Sequence, residues 1–164
     1  MKNILEKKVI WIISFICIII DQMIKFVINN NLDLYDQNTI IDNFFYLTNV
    51  RNYGAAWSIL TGSRIMLIIV TILIMIGLYY FFIRKEKLKK YEKVIYGFLY
   101  GGIIGNLIDR IFRGYVIDYL EFYIFGYNFP VFNLADILIV ISMFFIIISV
   151  IKGDKNGIVI WKIK

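Results

Sequence analysis

The sequence predicts an α-helical integral membrane protein: four transmembrane helices, a small β-hairpin on the outer face and a short interfacial helix. Three observations carry that reading. Of the 164 residues 60% are hydrophobic, and the mean hydropathy of +0.75 far exceeds what a soluble domain of this length needs for its core. Four segments have the length of a membrane helix, roughly 17 to 25 residues. Lysine and arginine gather in the flanks of the apolar runs rather than in one stripe with interleaved aromatics, so they read as topology signals and not as a nucleic-acid surface, although the formal charge is +6. No Pro/Ser-rich linker, low-complexity tract or internal repeat divides the chain, and residues 1–164 are read as one integral domain.

The first span is Val9 to Ile28. Lys7 and Lys8 followed by an apolar stretch look like a secretory signal peptide, but no small-residue cleavage site follows, and the segment is taken as an uncleaved span. The outer loop, roughly Asn29 to Ser63, contains two β-branched and aromatic runs, Thr39 to Ile41 and Phe44 to Val50, about an Asp42-Asn43 turn. They predict a small hairpin lying on the membrane. GAAWSIL, Gly54 to Leu60, is short and apolar with Trp57, which suits a helical turn in the interface. The second span, Ile65 to Ile83, is free of charge; the third is about Val94 to Ile111 and the fourth Leu134 to Ile151. The third carries Gly97, Gly101 and Gly105 on one stripe, with Gly102 beside them, a device for close helix approach.

Thirteen of the 18 basic residues lie in the N-terminal segment, the loop between spans two and three, and the C-terminal tail. The positive-inside rule therefore puts both termini in the cytoplasm. Eight of the twelve acids, Asp21, Asp33, Asp36, Asp42, Asp109, Asp118, Glu121 and Asp136, belong to the outer half or the outer loops.

The chain has no histidine, which excludes Ser-His and Cys-His catalysis and His-based metal sites; no metal or cofactor is expected. The lone Cys17 cannot form an intrachain disulfide and reads as a small apolar filler. Asp, Glu, Lys and Tyr are the remaining general acids and bases.

They fall into four constellations. Asp21 and Lys25 are four residues apart on one helix face, as an ion pair with Lys25 snorkelling or as substrate-facing groups. Asn52 and Gly54 follow the second strand run and either make a turn or serve the site. Asn106, Asp109 and Arg110 share a face near the outer end of span three, where Asp109 and Arg110 alternatively just end the helix at the water; downstream, Asp118 lies in an apolar, aromatic run that raises a carboxyl pKa. Asn133 and Asp136 have the spacing of a helix cap and its N3 partner. Capping alone accounts for Asp136, yet the Gly126-Tyr127-Asn128 turn folds the intervening segment back, so that Asp118 and Asp136 can meet. Two facing carboxylates in an apolar site share one proton. One then serves as base toward water while the other polarises a scissile carbonyl, which is peptide hydrolysis without His, Ser, Cys or metal.

Asp21-Gln22-x-x-Lys25, Asn52-x-Gly54-Ala55-Ala56, Gly105-Asn106-x-x-Asp109-Arg110 with Val116-Ile117-Asp118, and Phe132-Asn133-x-Ala135-Asp136 resemble, in order and spacing, the signature blocks of the lipoprotein signal peptidase (signal peptidase II) family. The resemblance implies an aspartyl endopeptidase of the bacterial cytoplasmic membrane. Such an enzyme removes the signal peptide from diacylglyceryl-modified prolipoproteins, cleaving on the N-terminal side of the lipidated cysteine, with its active site toward the extracytoplasmic face. It implies Asp118 and Asp136 as the catalytic pair, Asn52, Arg110 and Asn133 as polar residues lining the site, and Asp21, Lys25, Gly54, Asn106 and Asp109 as its support. The hairpin then resembles the family's extracytoplasmic β-cradle. The expected partners are lipidated prolipoproteins and membrane lipid, the expected state a monomer. An ion channel or transporter would set its charges nearer the midplane, and a purely structural protein would leave Asp118 and Asp136 unexplained.

Overall fold

The computed structural model describes residues 2–54, 62–84 and 88–151. The interfacial helical turn expected after Gly54 and the C-terminal tail lie outside these residues. The chain forms α1 (Lys2–Asn31), β1 (Gln37–Ile41), β2 (Phe45–Asn52), α2 (Arg64–Leu78) continuing as a π-helical turn over Tyr79–Ile83, α3 (Lys90–Phe112), β3 (Val116–Ile124), β4 (Tyr127–Asn128) and α4 (Leu134–Ile151). Among the described residues three helices are long and apolar enough to cross a membrane: Lys7–Asn31, Arg64–Ile83 and Leu134–Ile151, with mean hydropathies of 2.1, 2.7 and 2.9. Their outer surfaces are studded with exposed Ile, Phe, Val and Met, the inverse of a soluble bundle.

α3, expected as the third span, is the central helix. It packs most extensively against α1 on one side and α4 on the other, with α2 alongside. Its 23 residues include Glu92, Lys93, Asp109 and Arg110, so it is less apolar than its neighbours, and it buries Glu92, Asn106 and Asp109 inside the protein. The glycine stripe explains how it fits. A Cβ on Gly101 would lie 2.6 Å from Cys17 Cβ, and one on Gly102 would lie 2.5 Å from the Ala135 carbonyl oxygen. Gly101 thus admits α1 and Gly102 admits α4, and loss of either close approach would spread the three helices.

Below this level an apolar core of Ile10, Ile83, Tyr96, Leu99, Tyr100, Ile103 and Ile146 joins the helices. Ser14, fully inside the α1–α3 seam, donates to the Gly97 carbonyl at 3.0 Å. The Tyr100 hydroxyl donates to the Met75 carbonyl at 2.6 Å, fastening α2 to α3.

The expected hairpin is present as β1 and β2, turning through Asp42–Phe44 with Asn43 at φ 58°. It is half of a larger sheet. The strand order is β1-β2-β3-β4, all antiparallel, and β3 is the element that the sequence reading left as an apolar run. In the β2–β3 register Val50 faces Asp118 and Asn52 faces Val116, with an irregularity between Leu47 and Val50. One end of the sheet is aromatic: Phe122 stacks between Phe45 and Phe132, with centroids 4.6 and 5.7 Å away. The other end carries Asn52 and Asp118. β3 also seats Ile117 and Tyr119 on the C-terminal end of α1 beside Ile28, fixing the sheet over the helices.

Candidate active site

Asp118 enters the site because β3 is pinned on both sides, by β2 along its edge and by Phe132, whose backbone bonds Leu120 in both directions at 2.8 and 3.1 Å. That bridge brings the segment before α4 back against β3. The two sequence-predicted carboxylates are thereby held close enough for the charge of Asp136 to act on Asp118.

Every carboxylate oxygen of the pair has an N–H donor. Asp118 Oδ1 accepts from Asn133 Nδ2 at 2.6 Å and Oδ2 from Asn52 Nδ2 at 2.9 Å. Asp136 Oδ1 accepts from Asn106 Nδ2 at 2.8 Å and Oδ2 from the Asn133 backbone N–H at 3.1 Å. Asn133 Oδ1 in turn accepts the Asp136 N–H at 3.1 Å. Asn133 and Asp136 therefore form the reciprocal cap foreseen from their spacing, and that cap is itself part of the site. Asp118 is buried, whereas Asp136 is half-buried. Burial, reinforced by the Asp136 charge, pushes the Asp118 carboxyl up to about 7, against the lowering effect of its bonds from Asn52 and Asn133.

Asn52 is oriented by its own turn: its Oδ1 accepts the Gly54 N–H at 2.9 Å, which leaves its NH2 for Asp118. Arg110 reaches from α3 to the Gly54 carbonyl at 3.1 Å. Of the two readings left open for Asn52–Gly54, the turn is present, and the same turn sets the Asn52 amide against Asp118.

The remaining residues form a second cluster behind the first. Lys25 does not snorkel: it is fully buried between Asp21 Oδ2 at 2.9 Å and Asp109 Oδ2 at 2.8 Å. Asp109 does not end the helix at the water either; it has no exposed surface. Sequence reasoning gave no role to four participants, although Gln22 stands in the first signature block. Gln22 Nε2 donates to Asp21, to the Gly105 carbonyl and to Asp109 at 3.1–3.2 Å. Arg113 pairs with Asp109 and donates to Gln22 Oε1 at 2.9 Å. Arg64 crosses from the start of α2 to the Arg110 and Ile111 carbonyls at 2.7 and 2.6 Å, covering the end of α3. The Tyr119 hydroxyl accepts the Leu134 N–H at 3.1 Å and so helps cap α4. Arg113 had a signal, its four-residue spacing from Asp109. Arg64 and Tyr119 act across long sequence separations and had none.

Residues 13–152 match the family model described as signal peptidase (SPase) II. Lipoprotein signal peptidases from two Staphylococcus aureus strains, JH9 and Newman, are each 39% identical over 145 residues, covering 88% of this chain and 89% of theirs. Two solved structures, each described as a bacterial membrane enzyme determined by the in meso method, superpose with TM-scores of 0.81 and 0.78. They are 37% and 38% identical and cover 94% and 88% of this chain and 94% and 93% of their own. The chain belongs to the signal peptidase II family.

Proposed function

We propose that this protein is a membrane aspartyl endopeptidase. It removes the signal peptide from diacylglyceryl-modified prolipoproteins, cutting on the N-terminal side of the lipidated cysteine. The observation that carries the reading is the pairing of Asp118 with Asp136 within one hydrogen-bonded frame of Asn52, Asn106 and Asn133. Family membership and the lipoprotein signal peptidases among its relatives supply the substrate class.

The chemistry follows from the environment of each carboxyl. Asp118, titrating at about 7, starts protonated and gives its proton to the scissile carbonyl oxygen, while Asp136 starts ionised and takes a proton from the attacking water. In the tetrahedral intermediate the roles exchange: Asp136 returns its proton to the departing amine and Asp118 recovers one from the collapsing hydroxyl. Asn52 and Arg110 hold the substrate's backbone, Asn133 bridges the pair, and Gly54, Asn106, Asp21, Lys25 and Asp109 support them. The chain works as a single domain and a monomer, with α1, α2, α3 and α4 as four spans and both termini in the cytoplasm. The site then faces outward under the sheet, which serves as a cradle for the peptide.

The test is cleavage of a synthetic prolipoprotein peptide by the purified protein, with and without its diacylglyceryl group. The expected result is a single cut before the modified cysteine and little or no cleavage of the unmodified peptide. Equal cleavage of both would remove the lipid from the proposed specificity.

A further inference from the structure

We propose that Lys25 is a positioning residue for the carboxylate pair: its ammonium fixes which way the Asn106 amide points and thereby makes Asn106 a donor to Asp136. The inference rests on the reading of Asp118 and Asp136 as the catalytic pair.

An ammonium has three N–H donors and no acceptor. The Lys25 ammonium is ion-paired with Asp21 Oδ2 at 2.9 Å and Asp109 Oδ2 at 2.8 Å, and it donates a hydrogen bond to Asn106 Oδ1 at 2.9 Å. The third contact is not needed to balance charge. Asp21 and Asp109 already have two cations between them, since Arg113 pairs with Asp109, and Gln22 donates to both carboxylates. A buried ammonium nonetheless spends a donor on a neutral amide, one that touches the catalytic frame.

That contact decides the polarity of the frame. Asn106 Oδ1 accepts from Lys25 and, at 3.2 Å, from Asn133 Nδ2, so its NH2 is left to Asp136 Oδ1 at 2.8 Å. Turned over, Asn106 would set its NH2 against an ammonium and a second NH2, and its oxygen against a carboxylate. One orientation alone pairs each donor with an acceptor, and Lys25 is the member that cannot reverse. Lys25 lies on α1, Asn106 on α3 and Asp136 on α4, so the contact also carries the placement of α1 into the site.

Two cations act on the pair, Lys25 from α1 and Arg110 from α3; the Tyr119 phenol faces it from β3. Asp21 and Asp109, with Arg113 on the latter, stand behind Lys25. Removing the Lys25 charge therefore moves the pH dependence of cleavage as well as its rate, which a residue serving only to hold α1 against α3 would not do.

The experiment compares two charge-balanced double variants of the full chain, Lys25→Met/Asp21→Asn and Lys25→Gln/Asp21→Asn. The first removes the donor and the charge; the second removes the charge and keeps an N–H donor. Cleavage of the lipidated peptide is normalised to folded enzyme. For the Met variant the expected result is a kcat lower by roughly 100-fold with KM little changed, as for loss of an oriented polar partner at an active site. Its pH profile should move to higher pH. For the Gln variant the same pH displacement is expected with a smaller loss of kcat. Wild-type kcat and pH profile per folded molecule in either variant would overturn the positioning role. Failure of both to insert as folded protein would also overturn it and assign Lys25 to helix pairing alone. Asp136→Asn, run alongside, separates the two claims: full activity there refutes the catalytic pair itself, whatever Lys25 does.

Discussion

Asp136 does two things with one carboxylate. Its Oδ2 closes a reciprocal cap with Asn133 at the start of α4, and its Oδ1 receives the Asn106 amide. The cap was legible because Asn133 and Asp136 are near in sequence; the Asn106 donor was not, since it comes from another helix. Helix capping and participation in the pair are therefore one arrangement, and the positive end of α4 lies at the carboxylate that the proposed mechanism takes as ionised. Asp118 has the opposite character. Its carboxyl titrates at about 7, well above the ordinary value, so the protonated form that the proposed acid role requires is plentiful below pH 7 and is lost above it. Cleavage should accordingly fall as pH rises through about 7, the limb belonging to the coupled pair rather than to Asp118 alone. Asn52→Ala removes a bond that favours ionised Asp118, so this limb should move to higher pH while the maximum rate drops. A kcat/KM profile over pH 5–9 (about two units either side of that value) checks both statements; an unmoved limb would deny Asn52 its contact with the acid.

At the scale of elements the helices were legible and the sheet only half so. Apolar runs of membrane length announce α1, α2 and α4 without reference to anything else in the chain. β3 was read as an apolar setting for Asp118, because what makes it a strand is pairing with β2 across about 70 residues of chain, as Asn52 faces Val116. The glycines of α3 were legible as a packing stripe, but the helices they admit were not. Gly101 takes α1 and Gly102 takes α4, so the stripe sets the distance between the elements that carry Lys25, Asn106 and Asp136. Gly102→Val should force α4 outward and lower stability by about 1–3 kcal/mol, the range for overpacking, with turnover reduced as well. Gly77→Ala on α2, where a new Cβ meets nothing within 4 Å, should be harmless. Thermal unfolding of the two detergent-purified variants decides; equal midpoints would mean that α3 and α4 are not in close contact.

Among the described residues, polar groups are sorted by depth: two buried clusters lie toward the C-terminal ends of α1 and α3, and Lys7, Lys8, Lys90 and Lys93 lie toward the opposite ends of the same helices. The sequence showed this sorting through charge positions, and it showed that Asp21 and Lys25 share a face. Which of the open readings applied was decided by tertiary partners, since only Asp109 and Asn106 on α3 turn that face into a buried site. With thirteen basic residues in three segments, tags at residues 1 and 164 should both be shielded from external protease in intact cells, while a site inserted near Asn38 should be cut. An external cut at the C-terminal tag would remove one span from the proposed topology. The central claim is that Asp118 and Asp136 act as one catalytic unit, and it is tested most directly by the turnover of purified Asp118→Asn, Asp136→Asn and the double variant on a diacylglyceryl-modified precursor. Each single variant should insert normally and lose several orders of magnitude in kcat, and the double should be little worse than either, because losing one member of a unit costs about as much as losing both. Substantial cleavage by folded Asp136→Asn, free of wild-type enzyme, would contradict the account and leave Asp136 a helix cap.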